Sequence, residues 1–221
     1  MKKLPFLPVF VAGLIGEIIA TAVFDLNRFI ATILLAVLLY FLYGYYELNR
    51  RDIGTLKVTK KAVLWSAAIF GLIFVVLGLA YLLAPNAFKD QRYNQSLVAT
   101  LLAIFFTLPL TTVILEEFIF RGVLLGYLLK NGTRKSALII SSLMFGLWHI
   151  TSSFYVRVDS FLFIKRPQQL LISLIIVLVT AVAGWIFSTL RLKTNSLLVP
   201  IIAHWSLNAF GMLFAWLVWQ R

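Results

Sequence analysis

Residues 97–130 read LVATLLAIFFTLPLTTVILEEFIFRGVLLGYLLK. Before the closing lysine, the only ionisable side chains in this run are Glu116, Glu117 and Arg121. The run is otherwise apolar and long enough to cross a hydrocarbon core of about 30 Å. A charged side chain at bilayer depth costs about 2.5–3.5 kcal/mol on insertion scales. Placing Glu116, Glu117 and Arg121 within two helical turns therefore requires an internal polar cavity, and EEFIFR (116–121) is the first place to look for chemistry.

The rest of the chain fits that setting. Its 221 residues are 62% hydrophobic and 13% charged, with a mean hydropathy of +0.97. Those values belong to polytopic membrane proteins rather than soluble domains. The formal charge of +12 resides in short gaps between apolar runs, where lysine and arginine act as topology signals and contacts for anionic lipid. No continuous basic face exists, so nucleic acid is not an expected partner. The chain has no cysteine, which excludes disulfides, a thiolate nucleophile and a Cys-based metal site. The start, Met1-Lys2-Lys3, superficially resembles a signal peptide, but its apolar stretch is too long and lacks a small-residue cleavage site. It reads as a retained first span.

Seven apolar segments are long enough, or nearly so, to span: 5–24, 29–48, 62–84, 97–129, 136–150, 169–190 and 196–219. The expected fold is all-α, a single integral membrane domain over 1–221, with a bundle of seven to eight helices enclosing the active site. Pro109 predicts that the fourth segment is kinked, tilted or split. Residues 151–168 mix apolar and charged side chains, suiting a re-entrant or interfacial piece and a point of substrate access. With seven spans, twelve basic residues fall on one side and seven on the other. The excess places the N-terminus in the cytoplasm.

Counting about 1.5 Å per residue from the cytoplasmic helix ends puts Glu116 and His149 about 20 Å deep and His204 about 13 Å deep. His149 and His204 are the only histidines. Separate helices thus deliver a carboxylate pair and two imidazoles to similar depth. At about 100° per residue, Arg121 projects about 40° from Glu117 but about 140° from Glu116. Glu117 and Arg121 form an i,i+4 pair able to neutralise each other. Glu116 lacks a same-helix cation, and a carboxylate in an apolar cavity suits a general base. His204 and Asn208 are four apart on one face, and His149 closes Phe145-Gly-Leu-Trp-His149, where Gly146 permits close helix approach.

Plainer readings exist for each residue taken singly. An intramembrane histidine often serves as an interhelical hydrogen-bond partner, and Glu117–Arg121 is structural support rather than catalytic machinery. Glu17 reads as structural or as polar-cavity lining, Asp25 as interfacial, and Trp205 and Trp216 as packing or membrane-interface anchors. For Glu116, His149, His204 and Asn208 the plain reading has to be invoked at every one of them, at similar depth.

At these residues the chain resembles the CAAX prenyl protease and bacteriocin-processing family of intramembrane endopeptidases. The Glu-Glu-x-x-x-Arg motif is Glu116 to Arg121, followed by Gly122; Phe-x-x-x-His is Phe145 to His149; His-x-x-x-Asn is His204 to Asn208. Each alone is weak, but together and in order they cover roughly 97–210. The resemblance implies a membrane-embedded protease acting on a membrane-associated peptide or protein. By that resemblance Glu116, with His149, activates water, and His204 and Asn208 stabilise the oxyanion. A zinc-dependent version of the same chemistry would draw its ligands from Glu116, His149 and His204. The preferred expectation is no cofactor, with zinc as the alternative, since His-Glu-x-x-His is absent. A non-enzymatic immunity or transport protein is the remaining alternative class.

Overall fold

Inside a bilayer every backbone N–H and C=O must find a partner within the protein, and a helix meets that demand locally. The computed structural model describes residues 5–22, 24, 26–54, 58–150 and 167–221. Among them are seven helices and no strand. They are α1 (Phe6–Ala22), α2 (Arg28–Tyr45), α3 (Lys60–Leu83), α4 (Leu97–Asn131), α5 (Arg134–Trp148), α6 (Pro167–Thr194) and α7 (Leu198–Val218). Helices α3, α4, α6 and α7 are long and apolar enough to cross a membrane, while α1 and α2 are shorter apolar helices. Large apolar side chains such as Leu82 and Leu83 on α3 and Phe105 and Phe106 on α4 point outward, as lipid-facing surfaces require.

Local chemistry sets the helix ends. Asn27, Thr59, Ser96 and Thr133 each accept a hydrogen bond from a first-turn N–H, at Phe29, Ala62, Ala99 and Ser136 respectively. Pro85 follows directly on the cap residue of α3, and Pro167 opens α6. Between α6 and α7, Asn195 adopts a left-handed φ of 51°, which an asparagine tolerates.

Pro109 does not split α4. The chain stays helical from Leu97 to Asn131, but widens into π-helical turns at Ala103–Thr107, Pro109–Val113 and Phe118–Leu124. The wider register absorbs the residue that would otherwise clash and break the helix.

The chain divides into two compact units: Met1–Gly54 with Phe118–Thr189, and Thr55–Glu117 with Leu190–Arg221. In the first, an aromatic seam joins Phe6 to Tyr127 (ring centroids 3.9 Å apart), Phe10 to Phe120 (6.0 Å) and Phe120 to Phe145 (5.2 Å). The α2–α3 connection lies close against α4 in this unit. A Cβ on Gly126 would come 2.6 Å from the Asp52 carbonyl oxygen, and Lys130 Nζ donates to the Glu47 carbonyl at 2.5 Å.

In the second unit α3 and α7 pack face to face through aromatic rings. Tyr81 stacks on Phe214 at 5.1 Å, and Phe70 and Phe74 each meet Phe210 edge-on at about 5 Å. The α3–α4 connection is tied to α7 by two indoles. Trp216 Nε1 donates to the Gln95 carbonyl (3.1 Å) and Trp219 Nε1 to the Asp90 carbonyl (2.9 Å).

The seven apolar segments expected from sequence correspond to the seven observed helices, with ends displaced by no more than four residues. The proposed eighth piece lies largely in residues 151–166, outside the described residues, as does Asp25.

Candidate active site

Glu116 and Glu117 end a short α-helical stretch, Ile114–Glu117, set between the π-helical turns Pro109–Val113 and Phe118–Leu124. Interruptions of this kind recur at functional sites because they redirect side chains without breaking the helix. Both carboxylates are buried, Glu116 at 3% exposure and Glu117 at 0%.

His204 is delivered to Glu117 by α7. Its Nδ1 donates to Glu117 Oε1 at 2.9 Å, with the imidazole and the carboxylate both buried. A carboxylate can only accept here, so the hydrogen bond fixes which ring nitrogen faces Glu117 and leaves Nε2 as the atom presented elsewhere. Asn208 lies four residues on along the same uninterrupted α-helix, half-buried, and so shares the His204 face. Glu116, Glu117, His204 and Asn208 all belong to the second unit.

His149 and Arg121 belong to the first unit. His149 caps α5, and its Nδ1 donates to the Phe145 carbonyl at 2.8 Å, so Nε2 is the basic nitrogen of the neutral ring. Phe145 supports this histidine from below, with ring centroids 4.5 Å apart. It also holds the fully buried Arg121, whose guanidinium carbon lies 3.9 Å from the Phe145 ring centroid and 5.1 Å from that of Phe187. A desolvated guanidinium between aromatic faces gains cation–π attraction and keeps its planar orientation.

Gly146 does permit close helix approach, and α6 is the partner. A Cβ there would come 2.5 Å from the Val177 carbonyl oxygen and 2.8 Å from the Ala181 Cβ. Gly184 serves the same purpose one turn further on, where a Cβ would meet the Phe145 ring at 3.1 Å.

Helical phase could weigh partners for Glu117 only on its own helix, where it pairs with Arg121. Glu117 carries the hydrogen bond to His204, a partner 87 residues away in sequence. The phase count of 100° per residue also does not carry through Phe118–Leu124, where the helix is π-wound. Glu17, read as structural or cavity-lining, is buried and lines an apolar cavity between α1 and α2 with Gly13, Leu35 and Leu38.

A family model described as type II CAAX prenyl endopeptidase, Rce1-like, matches residues 97–210. That interval is just over half of the chain and runs from the start of α4 to two residues beyond Asn208. The chain belongs to the Rce1-like family of type II CAAX prenyl endopeptidases. No curated protein and no solved structure matches it. Together with the four long apolar helices, membership of the Rce1-like family makes this an integral membrane protein of a peptidase family.

Among the described residues, no group of three or more His, Asp or Glu side chains is placed to hold a metal ion. The Rce1-like assignment covers every motif read from sequence, and three residues beyond those motifs gain importance from the structure. Phe187 forms the second face around Arg121, and Gly184 makes room for Phe145. Trp205 sits beside His204 and donates from Nε1 to the Ile104 carbonyl at 2.9 Å. In sequence Phe187 and Gly184 are an apolar and a small residue in an apolar helix, and Trp205 reads only as packing or an interface anchor.

Proposed function

We propose that this protein is an intramembrane endopeptidase that hydrolyses peptide bonds of membrane-associated peptides or proteins with water activated by a glutamate. The observation that supports this reading best is the buried Glu117–His204 hydrogen bond, directly beside Glu116, on the family-matched segment.

Peptide hydrolysis needs a base for water, an acid for the leaving amine and donors prearranged at the developing oxyanion. Glu116 takes a proton from water as the oxygen adds to the scissile carbonyl. His149, with Nδ1 engaged by the Phe145 carbonyl, assists through Nε2. Asn208, and His204 from Nε2 with a proton on both ring nitrogens, donate to the oxyanion of the tetrahedral intermediate. Glu117 orients His204 so that Nε2 faces the reaction, a supporting carboxylate role familiar from other hydrolytic sites. The intermediate collapses as the C–N bond breaks and Glu116 returns its proton to the amine, leaving a carboxylic acid and a free amine. The N-terminus lies in the cytoplasm, and the reacting groups are reached from that side.

No step in this account needs a metal ion. The zinc-dependent alternative, with Glu116, His149 and His204 as ligands, is separated by one comparison. Cleavage of a membrane-tethered peptide by purified protein in liposomes is measured before and after chelation and zinc return. Unchanged cleavage supports the glutamate mechanism; loss on chelation with recovery on zinc overturns it. Proton-coupled flux without cleavage would instead make the protein a transporter.

A further inference from the structure

Trp205 directly follows His204 on α7, and its hydrogen bond has an unusual acceptor. In the π-helical register at the start of α4, the Leu108 N–H reaches back five residues to the Ala103 carbonyl. The next donor in that register is residue 109, and its target is the Ile104 carbonyl. Residue 109 is proline and has no N–H. Pro109 therefore leaves one backbone acceptor without its helical donor in a membrane-spanning helix, where water is not at hand to replace it. The Trp205 indole supplies that donor at 2.9 Å. Phe70, nearly parallel at 6.1 Å, and Phe105 at 5.9 Å flank the ring.

The tie matters because of where its neighbour reaches. His204 and Trp205 are adjacent on α7, yet their acceptors, Glu117 and Ile104, are thirteen residues apart on α4. The two side chains therefore reach along α4 in opposite directions. Sliding α7 toward either acceptor draws it away from the other, so the pair of bonds fixes the height of α7 against α4. All four residues lie within one compact unit.

We propose that Trp205 is a positioning residue: by occupying the carbonyl that Pro109 leaves open, it holds His204 in register with Glu117. The catalytic consequence rests on the peptidase reading above, whereas the register itself does not.

The test uses the full chain in liposomes and compares wild type, W205F, P109A and the W205F/P109A double variant. W205F keeps an aromatic ring but removes the N–H; P109A returns a backbone N–H at the position that targets Ile104. Two readouts are taken: kcat and KM on a membrane-tethered peptide, and the ring ¹⁵N signals of His204, which report its Nδ1 hydrogen bond. W205F is expected to lower kcat about tenfold, the cost of one lost positioning hydrogen bond, with KM within about twofold. Its His204 signals shift as well. P109A alone stays close to wild type, and the double variant recovers to within about threefold of it. If W205F does not assemble, benzothienylalanine at 205, which has the indole shape without the N–H, replaces it.

Unchanged kcat and unchanged His204 signals in W205F would overturn the proposal. So would a loss that P109A does not repair, since the indole would then act through packing alone. If wild type cuts no peptide but the His204 signals shift in W205F and return in the double variant, the peptidase reading fails and the positioning role stands.

Discussion

His204 and Glu117 meet through one buried hydrogen bond, Nδ1 to Oε1 at 2.9 Å, between helices whose motifs are 87 residues apart in sequence. The bond gives the second glutamate of the pair a definite task. It orients an imidazole, while proton transfer in the proposed reaction falls to Glu116 beside it.

Removing the acceptor's charge without changing its shape should be costly. Glu117→Gln is expected to lower kcat on a tethered peptide by about a hundredfold, the scale of losing one prearranged catalytic donor. The loss should not add fully to that of His204→Ala, because both variants act on the same interaction. A double-mutant cycle on kcat checks this, and full additivity would separate the two residues.

Arg121 should resist its usual conservative replacement. Its guanidinium carbon lies 3.9 Å from the Phe145 ring centroid and 5.1 Å from that of Phe187. A lysine ammonium offers no plane to stack and is more strongly hydrated. Arg121→Lys is therefore expected to lose about tenfold or more in activity, or to lower the yield of folded protein. Activity assays normalised to monodisperse protein by size exclusion distinguish these outcomes.

Gly146 should be intolerant where Gly211 is not. An alanine Cβ at 146 would sit 2.5 Å from the Val177 carbonyl oxygen, whereas Gly211 has nothing within 4 Å of that position. Overpacking at Gly146→Ala should destabilise by about 1–3 kcal/mol. Gly211→Ala should be neutral or stabilising by up to about 1 kcal/mol, from helix propensity. Thermal unfolding in detergent gives the comparison.

The orientation can be read directly because the chain has no cysteine of its own. Lys61→Cys and Gln91→Cys place single thiols at exposed positions, one in the first turn of α3 and one beyond its far end. A membrane-impermeant maleimide applied from the cytoplasmic side should label position 61 and spare position 91. The reverse pattern would invert the topology.

Much of the architecture was legible because apolar runs in a bilayer have few alternatives to a helix. The exceptions are instructive. The sixth segment, read as 169–190, extends to Thr194, because Arg191 and Lys193 in the last turn favour a helix C-terminus instead of ending the helix. Pro109 predicted a kink, tilt or break in α4; the helix is not split, and a π-helical register, which the sequence does not announce, runs through Pro109. In the site, the phase count could compare Glu117 only with residues on its own helix, and so found Arg121 and not His204. A tertiary partner leaves no trace in the spacing of a single helix. The role of Trp205 was hidden for a related reason: it depends on an N–H missing from another helix.

The central claim, hydrolysis by glutamate-activated water within the membrane, is tested most directly by cleavage in H₂¹⁸O. Purified protein in liposomes is given a membrane-tethered peptide, and the products are weighed by mass spectrometry. The account predicts ¹⁸O in the new C-terminal carboxylate from wild type, with near-complete loss of product from Glu116→Ala protein that is folded by size exclusion. Undiminished cleavage by Glu116→Ala, or no cleavage by wild type, would contradict it.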